Sequence, residues 1–119
     1  MVLLVEDYPD TLNFLAITLE NEGYRVLTAT TAEKAVDEAI SRMPDLVLMD
    51  LGLPGIDGLS AIWRIRDEPS LQRVPIIVIT AHDSYDLRAE AASAGCRGYV
   101  VKPIDMDILK ELVKDALGR

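Results

Sequence analysis

Cysteine, tryptophan, phenylalanine and histidine each occur once in this chain, and no apolar run approaches bilayer-spanning length. A lone Cys96 closes no internal disulfide, so the fold has to hold by packing, and a reducing compartment is its simplest home. A spanning helix needs roughly 20 consecutive apolar residues. Met1 runs straight into VLLV, with neither the basic stretch nor the small-residue cleavage site of an export signal. These absences predict a soluble, cytoplasmic protein that makes no membrane contact. Basic residues are scarce too: 12 Lys and Arg stand against 20 Asp and Glu, a net charge of −8. Affinity for a phosphate backbone depends on clustered cations, so direct nucleic-acid binding is not expected. Linkers, repeats and low-complexity tracts are missing as well. With 119 residues, 50% of them hydrophobic, the chain suits one ordinary core, and residues 1–119 are read as one domain.

What is present is an alternation of two hydrophobic periods. Residues 1–5 (MVLLV), 45–49 (DLVLM) and 75–79 (PIIVI) are short, nearly unbroken apolar runs, the pattern of strands covered on both faces. Residues 24–28 (YRVLT) and 98–101 (GYVV) are more mixed, as strands nearer a sheet edge are. Between them the period turns helical. Leu12, Leu15, Ala16 and Leu19 form one stripe, opened by Pro9 and closed by Gly23. Thr30 and Glu33 offer a capping box ahead of Ala35, Val36, Ala39 and Ile40, and Pro44 prevents continuation. Leu59, Ile62 and Ile65 mark a third helix, and Ile108, Leu109, Leu112, Val113 and Ala116 a fifth, capped by Asp105. The fourth, about residues 84–94, has only alanines around Leu87, so it should be held least firmly and be the mobile one. Strands alternating with helices point to an α/β fold: an open parallel sheet with helices on both faces.

In such sheets functional groups gather beyond the carboxyl ends of the strands. The residues just past each strand are Glu6 and Asp7, then Asp50, Thr80, and Lys102 followed by Pro103. Crowded carboxylates repel, so either their pKa values rise or a cation sits among them. Mg²⁺ suits the position: it takes oxygen ligands and is usually held by one or two carboxylates plus substrate phosphate oxygens. A lysine and a hydroxyl added to acids and a metal make chemical sense for phosphoryl transfer onto a carboxylate. Asp50 would be the nucleophile, Mg²⁺ and Lys102 would offset charge in the transition state, and Thr80 would donate a hydrogen bond to the arriving phosphoryl group.

With those residues in place, the chain resembles response-regulator receiver domains of the chemotaxis-regulator-like kind over essentially its whole length. The resemblance is carried by Glu6-Asp7, the stretch MDLGLPGIDG from Met49 to Gly58, Thr80-Ala81 and Lys102-Pro103. It implies a doubly wound, flavodoxin-like fold with strand order 2-1-3-4-5 and five flanking helices. It also implies Mg²⁺ held by Glu6, Asp7, Asp50 and the Gly52 carbonyl, and a phosphohistidine donor on a histidine kinase or histidine phosphotransfer protein. Thr80 and Tyr99 would move together on phosphorylation and alter the face built from helix four, strand five and helix five. The output would be a downstream protein target or a fused output domain, with the chain a monomer or a phosphorylation-dependent dimer. The Lys102-Pro103 bond would be cis. On this reading the protein is a phosphoacceptor that catalyses its own phosphorylation and dephosphorylation, not an enzyme acting on outside substrates. Two features depart from the commonest pattern. Glu6 stands where Asp is usual and would reach the metal through water, and Gly52 leaves the position two residues after Asp50 without a side chain.

Simpler readings compete residue by residue. Asp50 and Asp7 each suit a turn or cap, Lys102 a solvated surface charge, and Thr80 a strand end; only their shared edge argues otherwise. Tyr99 has a rival reading as a fixed, half-buried strand aromatic. Asp57-Gly58 reads as a turn and cap opening helix three. His82 reads as an exposed loop residue, and Cys96 and Trp63 as space fillers. An aspartyl-phosphate phosphatase usually carries a second Asp two residues after the nucleophile; here that residue is Gly52. The other alternative, a pseudo-receiver serving only as an interaction module, is opposed by the complete set Glu6, Asp7, Asp50, Thr80 and Lys102.

Overall fold

The computed structural model describes residues 1–53 and 57–118; Pro54, Gly55 and Ile56 of the long motif, with Arg119, lie outside the described residues. The elements are β1 (Val2–Val5), α1 (Pro9–Asn21), β2 (Val26–Ala29), α2 (Ala32–Arg42), β3 (Leu46–Met49), α3 (Gly58–Asp67), β4 (Ile76–Thr80), α4 (Tyr85–Ser93), β5 (Gly98–Val101) and α5 (Met106–Ala116). A short 3₁₀ turn, Pro69–Leu71, which the sequence reading did not anticipate, leads towards β4. The strands pair in parallel in the order β2-β1-β3-β4-β5, as the resemblance implied.

Strand period builds two cores. Because successive side chains point to opposite faces, Leu3, Val5, Val47, Met49, Ile76 and Val78 face one layer, where they meet Ala35, Ala39, Leu59, Ile62, Ile65 and Ala91 of α2, α3 and α4. Val2, Leu4, Leu46, Leu48, Ile77 and Ile79 face the other, against Leu15, Leu19, Leu109 and Val113 of α1 and α5. β1, β3 and β4 are fully buried along their lengths, which is why they read as unbroken apolar runs; β2 and β5, at the edges, are only partly covered.

Helix ends follow local chemistry. Pro9 opens α1, and Gly23 follows it at φ +94°, a conformation that costs glycine little. Asp57 caps α3 by accepting from the Ser60 amide, and Asp105 caps α5 by accepting from Asp107 and Ile108. For α2 the cap is Thr31, which accepts from Lys34, so the Thr30–Glu33 box is displaced by one residue: Thr31 is the one held extended (φ −133°, ψ 158°) at the helix entrance. Ile108 stands 54% exposed on α5 and Ile40 43% exposed on α2, so neither joins the core stripe assigned to it. Trp63, at 38% exposure, fills no interior space either. Cys96 does: burial pushes its thiol up to about 11. In α4 only Ala91 is fully buried, with Leu87 half-buried beside it. That small area gives the expected weakness of α4 a physical basis.

Gly58 ties α3 to the end of β3. A Cβ there would lie 2.5 Å from the Asp50 carbonyl oxygen and 2.7 Å from the Leu51 Cα, both backbone atoms that cannot turn aside. Gly58→Ala should therefore cost about 1–3 kcal/mol by overpacking, measured by urea unfolding. Gly118→Ala, with nothing near its Cβ position but a positive φ of +71°, should show only the smaller backbone penalty.

Candidate functional site

Sheet register assembles the site. Val5 lies opposite Met49 in the last pair of the β1–β3 ladder, so Glu6 and Asp50 leave the sheet side by side. The Asp50 amide donates to the Val5 carbonyl and the Glu6 amide to the Ala29 carbonyl, each at 3.1 Å, which fixes both where their strands end. On the other side Thr80 pairs with Val101, and the Lys102 amide donates to the Thr80 carbonyl at 2.7 Å. The Lys102-Pro103 peptide is cis, as the resemblance implied.

The side chains then converge. The Lys102 ammonium donates to Glu6 Oε1 at 2.5 Å and to Asp50 Oδ2 at 3.0 Å. Glu6 is fully buried, and its second oxygen accepts from the amides of Asp7 (3.0 Å) and Tyr8 (3.2 Å). Asp50 Oδ1 accepts from the Gly52 amide at 2.9 Å. Burial raises the Glu6 carboxyl above the usual carboxylate range, even though the Lys102 hydrogen bond pulls it down. Burial also works against the charge on Lys102, but its bonds to Glu6 and Asp50 outweigh this and raise its pKa, so the ammonium stays charged. Of the two remedies the sequence offered for crowded acids, the fold supplies a cation, the Lys102 ammonium just past β5, while the raised pKa of Glu6 comes first from its burial.

Oxygens of Glu6, Asp7 and Asp50 lie within 4.8 Å of one another, a donor set that could hold a metal. Hard carboxylate oxygens fit a hard divalent cation. Both oxygens of Glu6 and both of Asp50 are already engaged, whereas Asp7 is exposed, so Asp7 is the acid best placed to ligate directly. A cleft of about 210 Å³ opens here, lined among others by Asp7, Asp50, Gly52, His82 and Lys102.

Thr80 sits one layer deeper. It is fully buried, does not line that cleft, and its Oγ1 accepts from the His82 amide at 3.1 Å. The hydroxyl proton remains available for donation. Tyr99 is half-buried on β5, with its hydroxyl donating to the His82 carbonyl at 2.7 Å and the Arg88 guanidinium 4.6 Å from its ring centre. The backbone of His82 thus links Thr80 to Tyr99. No sequence signal could have found this role, because it uses the peptide group and not the imidazole.

This geometry has clear relatives. Residues 2–114 match the response regulator receiver domain family, and the chain belongs to that family. It is 38% identical over 118 residues to the KDP operon transcriptional regulatory protein KdpE of Escherichia coli, covering 99% of this chain and 51% of that protein. It is 37% identical over 119 residues to the response regulator ArlR of Staphylococcus aureus, covering 99% and 52% respectively. The chain therefore spans about half the length of these relatives. Among solved structures it resembles the receiver domain of sensor histidine kinase PA1611 from Pseudomonas aeruginosa, crystallised with magnesium in its active-site cleft (TM-score 0.90, 35% identity, covering 99% and 97% of the two chains). A CheY-like receiver domain from Methanospirillum hungatei superposes with TM-score 0.93 at 26% identity, covering 98% and 92%.

The two acids should respond oppositely to neutralisation. Asp7→Asn removes an exposed charge from a crowded acidic edge, so in EDTA it should stabilise the protein by a few tenths of a kcal/mol to about 1. Glu6→Gln removes a charged partner of the half-buried Lys102 ammonium and should destabilise the protein by about 1–3 kcal/mol. Urea unfolding of both variants in EDTA checks this, and equal shifts of one sign would refute the assignment of Lys102 as the counterion of Glu6.

Proposed function

We propose that the domain accepts a phosphoryl group onto Asp50 from a phosphohistidine, on a histidine kinase or histidine phosphotransfer protein, in a Mg²⁺-dependent step. The observation that carries this reading is the Lys102 ammonium held between Asp50 and Glu6 at the floor of an acidic, solvent-open cleft. An Asp50 oxygen attacks phosphorus, the phosphorus–nitrogen bond of the donor breaks, and its electron pair returns to the imidazole, which keeps or takes a proton from solvent. Mg²⁺, held by Asp7, Asp50 and the Gly52 carbonyl with Glu6 behind, would supply positive charge to the transferring oxygens. Lys102 stays charged throughout and can follow the phosphoryl oxygens from Asp50 without leaving Glu6. Hydrolysis of the acyl phosphate resets the domain. With Gly52 where a phosphatase has its second acid, the domain acts on its own aspartate and not on outside substrates.

The readout we propose begins at Thr80. When its hydroxyl donates to the phosphoryl group, it turns from the His82 amide, and the turn leading into α4 loses a tether. Tyr99, bonded to the His82 carbonyl, follows, and the face of α4, β5 and α5 changes. One charge-assisted bond is worth about 1.5–3 kcal/mol, enough for roughly a tenfold to hundredfold population shift. A downstream protein or a fused output domain reads that face, the chain being monomeric or dimerising on phosphorylation. The transcriptional regulator KdpE, about half of which this chain spans, makes a fused output domain a natural arrangement. Among the described residues no helix is long and apolar enough to cross a membrane, which agrees with a cytoplasmic domain.

Incubation with acetyl phosphate and Mg²⁺, followed by intact mass, tests the acceptor. The wild-type chain should gain one base-labile phosphate and Asp50→Asn none; equal gain in both would overturn the reading. Thr80→Ala should still take phosphate yet lose the change in amide exchange across residues 81–105 that the wild type shows with beryllofluoride.

A further inference from the structure

At the opposite end of the sheet from Asp50 lies a cavity of about 740 Å³, beneath the entrances to β4 and β5 and against the last turn of α4. Its chemistry is unlike that of the rest of the molecule. The chain carries a net charge of −8, yet every charged side chain lining this cavity is an arginine: Arg66, Arg73 and Arg97. Trp63, the only tryptophan, lines it too and stands 38% exposed.

The three guanidinium groups have no carboxylate partner among the described residues. Arg66 spends its donors on carbonyls: Ala94 (2.8 Å), Leu71 (3.1 Å), Val74 (2.7 Å) and Gly95 (3.3 Å). Those bonds clamp the end of α3 to the end of α4 and to the approach to β4, but they supply no countercharge. Burial accordingly pulls the Arg66 pKa below its ordinary value. Arg97 makes one bond, to the Asp115 carbonyl at 3.3 Å, and Arg73 is exposed. Arg73 and Arg97 are both exposed, so their guanidinium groups are open to an incoming anion beside the Arg66 floor. Guanidinium forks match phosphate oxygens two at a time, and an exposed indole face takes a planar ring. The volume lies within the roughly 300–1,000 Å³ of small-molecule sites.

We infer that this cavity binds a small anion carrying a planar ring, of the nucleotide class, with its phosphates on Arg73 and Arg97 over the Arg66 floor and its base against Trp63. An acidic peptide would satisfy the charges but leave the indole unused. The site is independent of the Asp50 reading and stands or falls alone.

Trp63 reports the test directly. ADP is titrated into the full chain in EDTA while Trp63 emission is followed, with free tryptophan as the absorbance control, and adenosine, pyrophosphate and a poly-glutamate peptide are run in parallel. ADP should give a saturable change, with adenosine and pyrophosphate each at least about tenfold weaker. Arg73→Ala and Arg97→Ala should each weaken ADP about tenfold, by loss of a charge-assisted contact. Arg64→Ala, on α3 but outside the cavity lining, should leave it unchanged. No saturation at millimolar ADP, pyrophosphate or the peptide binding as tightly as ADP, or equal affinity in the Arg73 and Arg97 variants would each overturn the proposal.

Discussion

The ammonium of Lys102 sits between two carboxylates that follow the neighbouring strands β1 and β3, 2.5 Å from Glu6 and 3.0 Å from Asp50. Glu6 is wholly buried, and a carboxylate in that position is tolerable only if hydrogen bonds and a countercharge replace the water it has lost. Lys102 and the amides of Asp7 and Tyr8 do so. The same contact pins the end of β5 to the end of β1 across β3 and β4, so electrostatics holds the floor of the cleft together where the hydrophobic ladder stops. A buried pair of this kind is costly to break from one side, since the survivor keeps its desolvation penalty.

Around that fixed point the molecule is unevenly held. β1, β3 and β4 are sealed between two apolar layers, and their ends can move little. α4 is attached by one buried alanine, by half-buried Leu87 and, at its last turn, by the Arg66 bonds to Ala94 and Gly95. Its first turn follows the loop in which His82 bridges Thr80 and Tyr99. Rigid strands therefore carry the acids, while the element with least burial adjoins the residues proposed to respond to them. A site built this way can change its surroundings without losing its own geometry.

Much of this was legible beforehand, because the signals were local. Unbroken apolar runs marked the central strands, stripes at helical spacing marked α1, α3 and α5, and Asp57, Asp105, Pro9 and Gly23 behaved as their backbone chemistry requires. The misreadings share a cause. Thr30 and Thr31 are equivalent as caps until the path out of β2 chooses between them, and Ile108 belongs to an apolar stripe until the packing of α5 leaves it uncovered. Trp63 read as core because it is large and apolar, but its side of α3 borders an open recess lined by three separate segments.

The sequence by itself determined the strand and helix pattern, and therefore that Glu6, Asp7, Asp50, Thr80 and Lys102 would all emerge at one edge, because each follows a strand and parallel strands share their direction. Only the tertiary structure decided what those residues do to one another. Parallel register set Glu6 beside Asp50; the approach of β5 decided that Lys102, 96 residues from Glu6, would be its counterion. The peptide group of His82, not its imidazole, became the link between Thr80 and Tyr99. Distances between side chains depend on how whole strands register and layers pack, and backbone hydrogen bonds carry no mark of residue type, so neither is written in the local order of residues.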